Sequence, residues 1–153
     1  YIRPMEAVRL FAGWNKAHID GAMLEALGIH DFTKRQYAEL STGQKRRLHL
    51  ALALLGNPEI VILDEPTAGL HPQDVEQLMM ILRKMAAEKN TIIVIEHDLQ
   101  VLRQADWIVD LGVGGGAAGG EVLCCGPVKD IISCTRSITG KYLKKEMEVY
   151  GDV

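Results

Sequence analysis

The segment EIVILD (59–64) runs four branched or long apolar residues, Ile60 to Leu63, straight into two adjacent carboxylates, Asp64 and Glu65. An unbroken apolar run of this length suits a short strand that is apolar on both faces and buried. A second such run, TIIVI at 91–95, follows the segment QDVEQLMMILRKMAAEK. In that intervening segment Val75, Leu78, Met79, Leu82, Met85 and Ala86 recur at helical spacing. Strands joined through a helix of this length are expected to lie parallel. Ligands of open α/β sheets bind at the carboxyl ends of such strands, which is where Asp64 and Glu65 stand.

The alternation continues with a short helix in DLQVLRQ and a third strand in ADWIVDLG. The Gly-rich stretch GVGGGAAGG (112–120) then links that strand to EVLCCG as a hairpin, and a helical tail is expected over roughly 127 to 147. Residues 1 to 56 read differently. In NKAHIDGAMLEALGI, Ile19, Met23, Leu24 and Leu27 share a helical face and Gly28 is a stop, while LSTGQKRRLHLALALLGNP starts at a cap and ends at Gly56 and Pro58. The expected fold class is α/β, a mainly parallel sheet with covering helices, preceded by a helical subdomain. The expected division is 1–56 and 57–153.

Bulk properties narrow the classes of function. The chain has 153 residues, 48% hydrophobic and 24% charged, which is the composition of a globular domain. A net charge of −3 argues against a domain-wide electrostatic grip on nucleic acid. The longest apolar run, Leu50 to Leu55, is far short of a membrane span, and no signal-peptide pattern opens the chain. The first residue is Tyr1 rather than Met, which leads us to expect a fragment or a processed chain. Cys124, Cys125 and Cys134 form no C-x-x-C pair, and neighbours on a strand point to opposite faces. They are expected to be packing residues in a reducing, cytoplasmic compartment.

Several residue sets can carry chemistry. At the end of a parallel strand, Asp64 can hold Mg²⁺, directly or through water, and Glu65 can orient or deprotonate an attacking water. Acidic residues can equally mark where a strand leaves the core. Ser41-Thr42-Gly43-Gln44 opens a helix: Ser41 and Gln44 match a capping box. The same geometry offers free N–H groups, a hydroxyl and a glycine to an anion. His97, in IEHD, ends the second strand and can hydrogen-bond a terminal phosphate or the attacking water. Lys45-Arg46-Arg47 is expected to form a solvated basic face, with a phosphate or nucleic-acid contact as the alternative. Gly114, Gly116 and Gly119 match G-x-G-x-x-G, but a strand follows rather than a helix, so the dinucleotide reading fails. A G-x-x-x-x-G-K-[ST] phosphate loop is missing, since the Gly140-Lys141 pair is followed by Tyr142 and lacks the upstream glycine.

LSTGQ, then ILDEPTAGLH about twenty residues on, then IEHD about thirty after that, form an ordered set. It resembles the second half of an ATP-binding cassette (ABC) ATPase. The resemblance implies that Leu40 to Gln44 are the signature motif and Ile60 to Glu65 the Walker B strand. Ala68 to His71, including Gly69, would be the D-loop and His97 the switch histidine. It implies ATP and Mg²⁺ as cofactors, with Asp64 assisting the metal, Glu65 as the catalytic carboxylate and His97 at the γ-phosphate. Ser41, Thr42, Gly43 and Gln44 would meet the ATP of an opposite cassette, alongside Gly69 and His71.

Within that superfamily, TAGLH, NTIIVIEHDLQVLRQADWIVDLG, the Gly-rich hairpin and SITGKYL resemble the C-terminal cassette of UvrA-type excision-repair ATPases. RPMEAVRLFAGW and LSTGQKRRLHLALALLGNPEIVILDEPTAGL are more similar to transporter-type cassettes. UvrA-type proteins usually read LSGGE at the signature, and their zinc-binding Cys pairs have no counterpart here, so no zinc site is expected. The implied partners are a second cassette, the half carrying the phosphate loop, and either DNA with other excision-repair proteins or a membrane permease. This chain by itself is expected to be inactive.

Overall fold

In a computed structural model that describes residues 2–112 and 119–150, strand β1 (Ile60–Asp64) and strand β2 (Thr91–Ile95) pair in parallel. The register runs from Ile60 opposite Thr91 to Asp64 opposite Ile95. Helix α4 (Pro72–Ala87) makes the crossover and packs on β2. Its inner face is Val75, Leu78, Met79, Leu82 and Met85, as the spacing predicts, whereas Ala86 is exposed.

The two strands are not buried on both faces. Val61 and Leu63 turn inward, but Ile60 and Ile62 are 62% and 66% exposed, and Ile93 and Ile95 are 47% and 56% exposed. The expectation of fully buried strands is therefore corrected: this pair has one packed face and one bare apolar face. Covering a side chain of this kind contributes about 1.5–3 kcal/mol, so the bare face represents unspent hydrophobic driving force.

Contacts group the chain into two compact units, Tyr1–Ile95 and Glu96–Val153. In the first, helix α1 (Pro4–Asn15) begins with proline at a position that needs no amide hydrogen, and Glu6 accepts the Arg3 N–H. Helix α2 (Gly21–Ala26) is capped by Asp20, which accepts from the N–H groups of Ala22 and Met23. Two short 3-10 turns, Ile29–Phe32 and Tyr37–Glu39, lead to helix α3 (Thr42–Leu54). Fully buried Val8, Leu24, Ile29, Phe32, Leu48 and Leu78 form this unit's interior, with α1 packed on α3 and α2 on α4.

Gly28 stops α2 in the left-handed region at φ 60°. It also leaves room for Arg47, whose guanidinium a Cβ there would strike. Arg47 lies over the Phe32 ring at 5.4 Å and pairs with Asp74 at 3.6 Å. Lys45 sits over the Tyr37 ring, and Arg46 donates to the Glu65 carbonyl. The basic run is thus not a solvated face: all three cations are half-buried and fasten α3 to its neighbours.

In the second unit, helix α5 (Leu99–Leu102) precedes strand β3 (Ile108–Leu111), which pairs antiparallel with strand β4 (Val122–Gly126). Most of the Gly-rich connection, including Gly114 and Gly116, lies outside the described residues. The expected single helical tail is two helices, α6 (Val128–Ser133) and α7 (Ile138–Tyr150). The break has a local cause. Cys134 is extended, and Ser137 caps the new helix by accepting the Gly140 N–H at 2.7 Å. Ser137 is fully buried, and its hydroxyl donates to Asp110 on β3 at 2.5 Å, while Thr139 donates to the other carboxylate oxygen at 2.9 Å. Ile108, Ile131 and Leu143 make the buried centre, with Leu99, Leu102 and Cys124 packed on it. Of the three cysteines expected to be packing residues, Cys124 packs on this centre, Cys134 is half-buried and Cys125 is exposed.

Removing the Ser137 hydroxyl takes away one of the two donors to the buried Asp110 carboxylate and uncaps α7 at the same time. Ser137→Ala is expected to destabilise the chain by about 1–3 kcal/mol in urea unfolding, and Thr139→Ala, at a half-buried position, by less. Equal small effects would mean that the network does not hold α7 in place.

Candidate functional site

At the end of β1 the ladder extends one residue beyond the strand, because the Glu65 N–H donates to the Ile95 carbonyl at 2.9 Å. Glu65 is then in the left-handed region at φ 44°, directly before Pro66. Such a backbone is uncommon for a residue with a side chain and costs on the order of 1–3 kcal/mol. Neighbouring bonds hold it: the Glu65 carbonyl accepts from Arg46 and from the Ala68 N–H, and the Leu70 N–H donates to the Thr67 carbonyl. Pro66 and Thr67 are buried beneath the turn. Asp64 and Glu65 both remain exposed at the carboxyl end of the strand.

The turn leads to Gly69, at φ 75°, and to the start of α3. A Cβ on Gly43 would stand 3.1 Å from the Gly69 carbonyl oxygen, and one on Gly69 would stand 3.8 Å from the Thr42 methyl. The first turn of α3 and the loop after β1 therefore meet at two glycines: a side chain at Gly43 would crowd the Gly69 carbonyl, while Gly69 is held by its left-handed backbone rather than by lack of space. Ser41 caps α3 by accepting the Gln44 N–H at 3.2 Å, and Gln44 Oε1 accepts the Ser41 N–H at 3.0 Å. The capping box read from the sequence is present. Ser41 and Thr42 are exposed and Gly43 and Gln44 are half-buried. His71 closes the loop as the N-cap of α4, its Nδ1 accepting the Gln73 N–H at 3.4 Å.

The first unit thus brings together the start of α3, both carboxylates and the loop ending at His71. His97 belongs to the second unit, two residues along the chain from the end of β2. Its side chain is largely exposed, and Nδ1 lies 3.9 Å from the Glu96 carboxylate, whose side chain is 1% exposed. The same Glu96 oxygen accepts the His97 N–H at 3.0 Å and the Asp98 N–H at 3.4 Å. Asp98 caps α5 through the Gln100 N–H. A cavity of about 370 Å³ in this unit is lined by Glu96, His97, Asp110, Thr139 and Tyr142, among others. The larger cavity of the first unit, about 610 Å³, is lined by residues such as Met23, Leu54, Met80 and Met85 and contains none of the candidate residues.

Two participants were missed from sequence. Arg46 was hidden in a run of cations, and nothing in its spacing marks which one reaches the Glu65 carbonyl. Glu96 stood in plain view as the acid between an apolar strand and His97, a signal that could have been used. Exposed carboxylate oxygens are hard donors suited to Mg²⁺. Among the described residues no three His, Cys, Asp or Glu side chains converge on a metal position. A Mg²⁺ ion here would therefore take one or two carboxylates from this chain and its other ligands from phosphate and water, as that ion commonly does.

Ser41→Ala removes the α3 cap beside Gly69. A loss of about 1 kcal/mol in denaturant unfolding is expected, with Ser41→Gly costing only a few tenths. Equal losses for the two substitutions would show that the hydroxyl's bond to Gln44 is not what stabilises the helix start.

Comparison with known proteins bears on what this arrangement belongs to. The family profile described as ABC transporter matches residues 5–68. UvrABC system protein A of Bradyrhizobium diazoefficiens is 45% identical over 113 residues, which is 72% of this chain and 11% of that protein. UvrABC system protein A of Escherichia coli (strain K12) is 47% identical over 108 residues, or 69% of this chain and 12% of that one. The chain thus spans about a ninth of the length of the curated relatives it matches. Among solved structures, UvrA2 from Deinococcus radiodurans superposes with a TM-score of 0.70 at 41% identity, covering 82% of this chain and 16% of that one. A structure of the ATP binding subunit of an ABC transporter covers 96% of this chain and 62% of its own, with a TM-score of 0.72; at 21% identity it speaks for the fold alone.

Proposed function

Because this chain is part of an ABC ATPase cassette with similarity to UvrA, we propose that its parent protein binds and hydrolyses ATP between two cassettes packed head to tail, in the service of DNA-damage recognition. The observation that carries this reading is the meeting of the α3 start with the loop after β1. It puts an exposed helix N-terminus and two exposed carboxylates into one unit. Free N–H groups and the positive end of the α3 dipole suit a phosphate, and adjacent carboxylates suit Mg²⁺ and a nucleophilic water.

In this proposal Asp64 holds the metal, directly or through water, and Glu65 orients and deprotonates the attacking water. Mg²⁺ bound there would neutralise phosphate charge. Glu65's left-handed backbone sets the direction of its side chain, so the turn held by Arg46 is a positioning device. Ser41, Thr42, Gly43 and Gln44 face the ATP of the opposite cassette, with Gly69 and His71 lining the same interface. His97 reaches the γ-phosphate, and buried Glu96 orients it. Catalysis in such a site rests on positioning and electrostatic stabilisation rather than on covalent chemistry.

The bare apolar face of Ile60, Ile62, Ile93 and Ile95 supports the proposal that the phosphate-loop half of the cassette packs there. The isolated chain then neither binds ATP tightly nor hydrolyses it. Excision-repair proteins and DNA are the proposed partners of the parent, in the cytoplasm. The repair reading is preferred to a transport subunit because the named relatives above 40% identity are UvrA proteins. The ABC transporter description of residues 5–68 is the specific observation that favours the transport alternative. Among the described residues no helix is long and apolar enough to cross a membrane.

In the parent protein, Glu65→Gln is expected to lower ATP turnover about a hundredfold or more while leaving nucleotide binding intact. Damaged duplex DNA should change the wild-type rate. A Glu65-dependent rate indifferent to DNA would overturn the repair reading, and a rate unaffected by Glu65→Gln would overturn the site. Titration of the isolated chain with ATP in a calorimeter should show no micromolar binding, and heat at micromolar ATP would contradict its inactivity.

A further inference from the structure

Side chains alternate along β4, so Cys124 faces the interior, packed on the cluster of Ile108, Ile131 and Leu143, while Cys125 is exposed. Leaving β4 at Gly126, the chain turns at Pro127 and runs back as α6, which packs on β4. Six helical residues rise about 9 Å, comparable to the roughly 7 Å that separates Gly126 from Cys124 along the strand. The helix end therefore returns beside Cys124. The residue there is Cys134, the C-cap of α6, whose N–H donates to the carbonyl of Ile131, a member of the cluster on which Cys124 packs. Opposite Cys124 on β3 is Asp110, held by Ser137 and Thr139. Both cysteines are half-buried rather than sealed, so a small oxidant can reach them.

We propose that Cys124 and Cys134 are an oxidation site, converted reversibly to an intramolecular disulfide by a peroxide or a small disulfide-forming oxidant. Cys134 is the residue attacked first. The hydrogen bond from Cys124 favours its thiolate, as do the Arg136 and Ser137 amides and the Arg136 charge. Burial pushes Cys124 up to about 11, so it stays a thiol and serves as the donor. With hydrogen peroxide, the Cys134 sulfur bonds to one peroxide oxygen, the O–O bond breaks, and the departing hydroxide takes a proton to become water. Cys134 is then a sulfenic acid. The Cys124 sulfur attacks the Cys134 sulfur, the S–O bond breaks, and the hydroxyl leaves as a second water with the Cys124 proton. Two thiols have supplied two electrons, and one peroxide has become two waters. Cys125, on the other face of the strand, takes no part.

The test uses the whole chain, reduced and then exposed to a slight excess of diamide or hydrogen peroxide, denatured and alkylated. Reactive thiols are expected to fall from three to one, with the surviving label on Cys125 and the chain lighter by two hydrogens. Trypsin cuts after Lys129, between the two cysteines, so the bond appears as two joined peptides that dithiothreitol separates. Cys125→Ser should keep the response. Cys124→Ser should abolish the bond and leave Cys134 singly oxidised. The same oxidant in concentrated urea should lose the preference for this pair, which distinguishes folded geometry from mere nearness in sequence. Three alkylated thiols after the oxidant is consumed, a bond through Cys125, or bonds only between chains would each overturn the proposal. Far-ultraviolet circular dichroism of each variant establishes that it is folded.

Discussion

The parallel pairing of β1 with β2 is the constraint on which the candidate site depends. Its register sets Asp64 opposite Ile95, and one further bond, from the Glu65 amide to the Ile95 carbonyl, carries the alignment past the strand end. The chain must then leave the sheet abruptly. It does so through a left-handed Glu65 before Pro66, a strained arrangement that persists because Arg46 and Ala68 bind the Glu65 carbonyl. Shifting the register by one residue would exchange the two faces of β1, exposing Val61 and Leu63 and moving both carboxylates.

The same strand pair leaves four isoleucines uncovered. Contiguous apolar patches of this sort commonly mark a surface that another segment or partner covers. The bare face and the position of the carboxylates are two consequences of one geometry, since the sheet has a packed side, an open side and a polar end. The second unit is organised on a different principle. Its small apolar centre is supplemented by a buried polar network, in which Asp110 is satisfied by two hydroxyls and one of those hydroxyls also starts α7. Helix α6 packs on β4, so its Cys134 end lies near the cluster that Cys124 covers.

Much of the fold was legible because short-range rules specify it. The helical spacing of Val75 to Met85 marked α4, Ser41 and Gln44 marked the start of α3, and Gly28 marked the end of α2. The expectations that failed were those in which a residue type was assigned an environment, or in which a local pattern was extended across a distant contact. Alternate isoleucines in β1 and β2 were expected inside and lie outside, because apolar composition shows what a strand can bury and not what is present to cover it. The three cations of α3 were expected in solvent and lie against Phe32, Tyr37 and the Glu65 carbonyl, because their long apolar stems let them cover neighbouring surface. The tail was expected as one helix, and it breaks where Ser137 serves Asp110, a residue 27 positions away.

By itself, then, the sequence determined the order of elements, the parallel crossover and the motifs at strand and helix ends, because each depends on residues within a few positions of one another. It also carried the similarity to an ABC cassette, since that lies in ordered local motifs. Only the tertiary structure decided that the α3 start meets the loop after β1 through Gly43 and Gly69, that Arg46 rather than its neighbours holds the turn, and that Cys134 returns to Cys124. These depend on where the chain comes back after many residues, which register, helix length and close packing set together and no local pattern records.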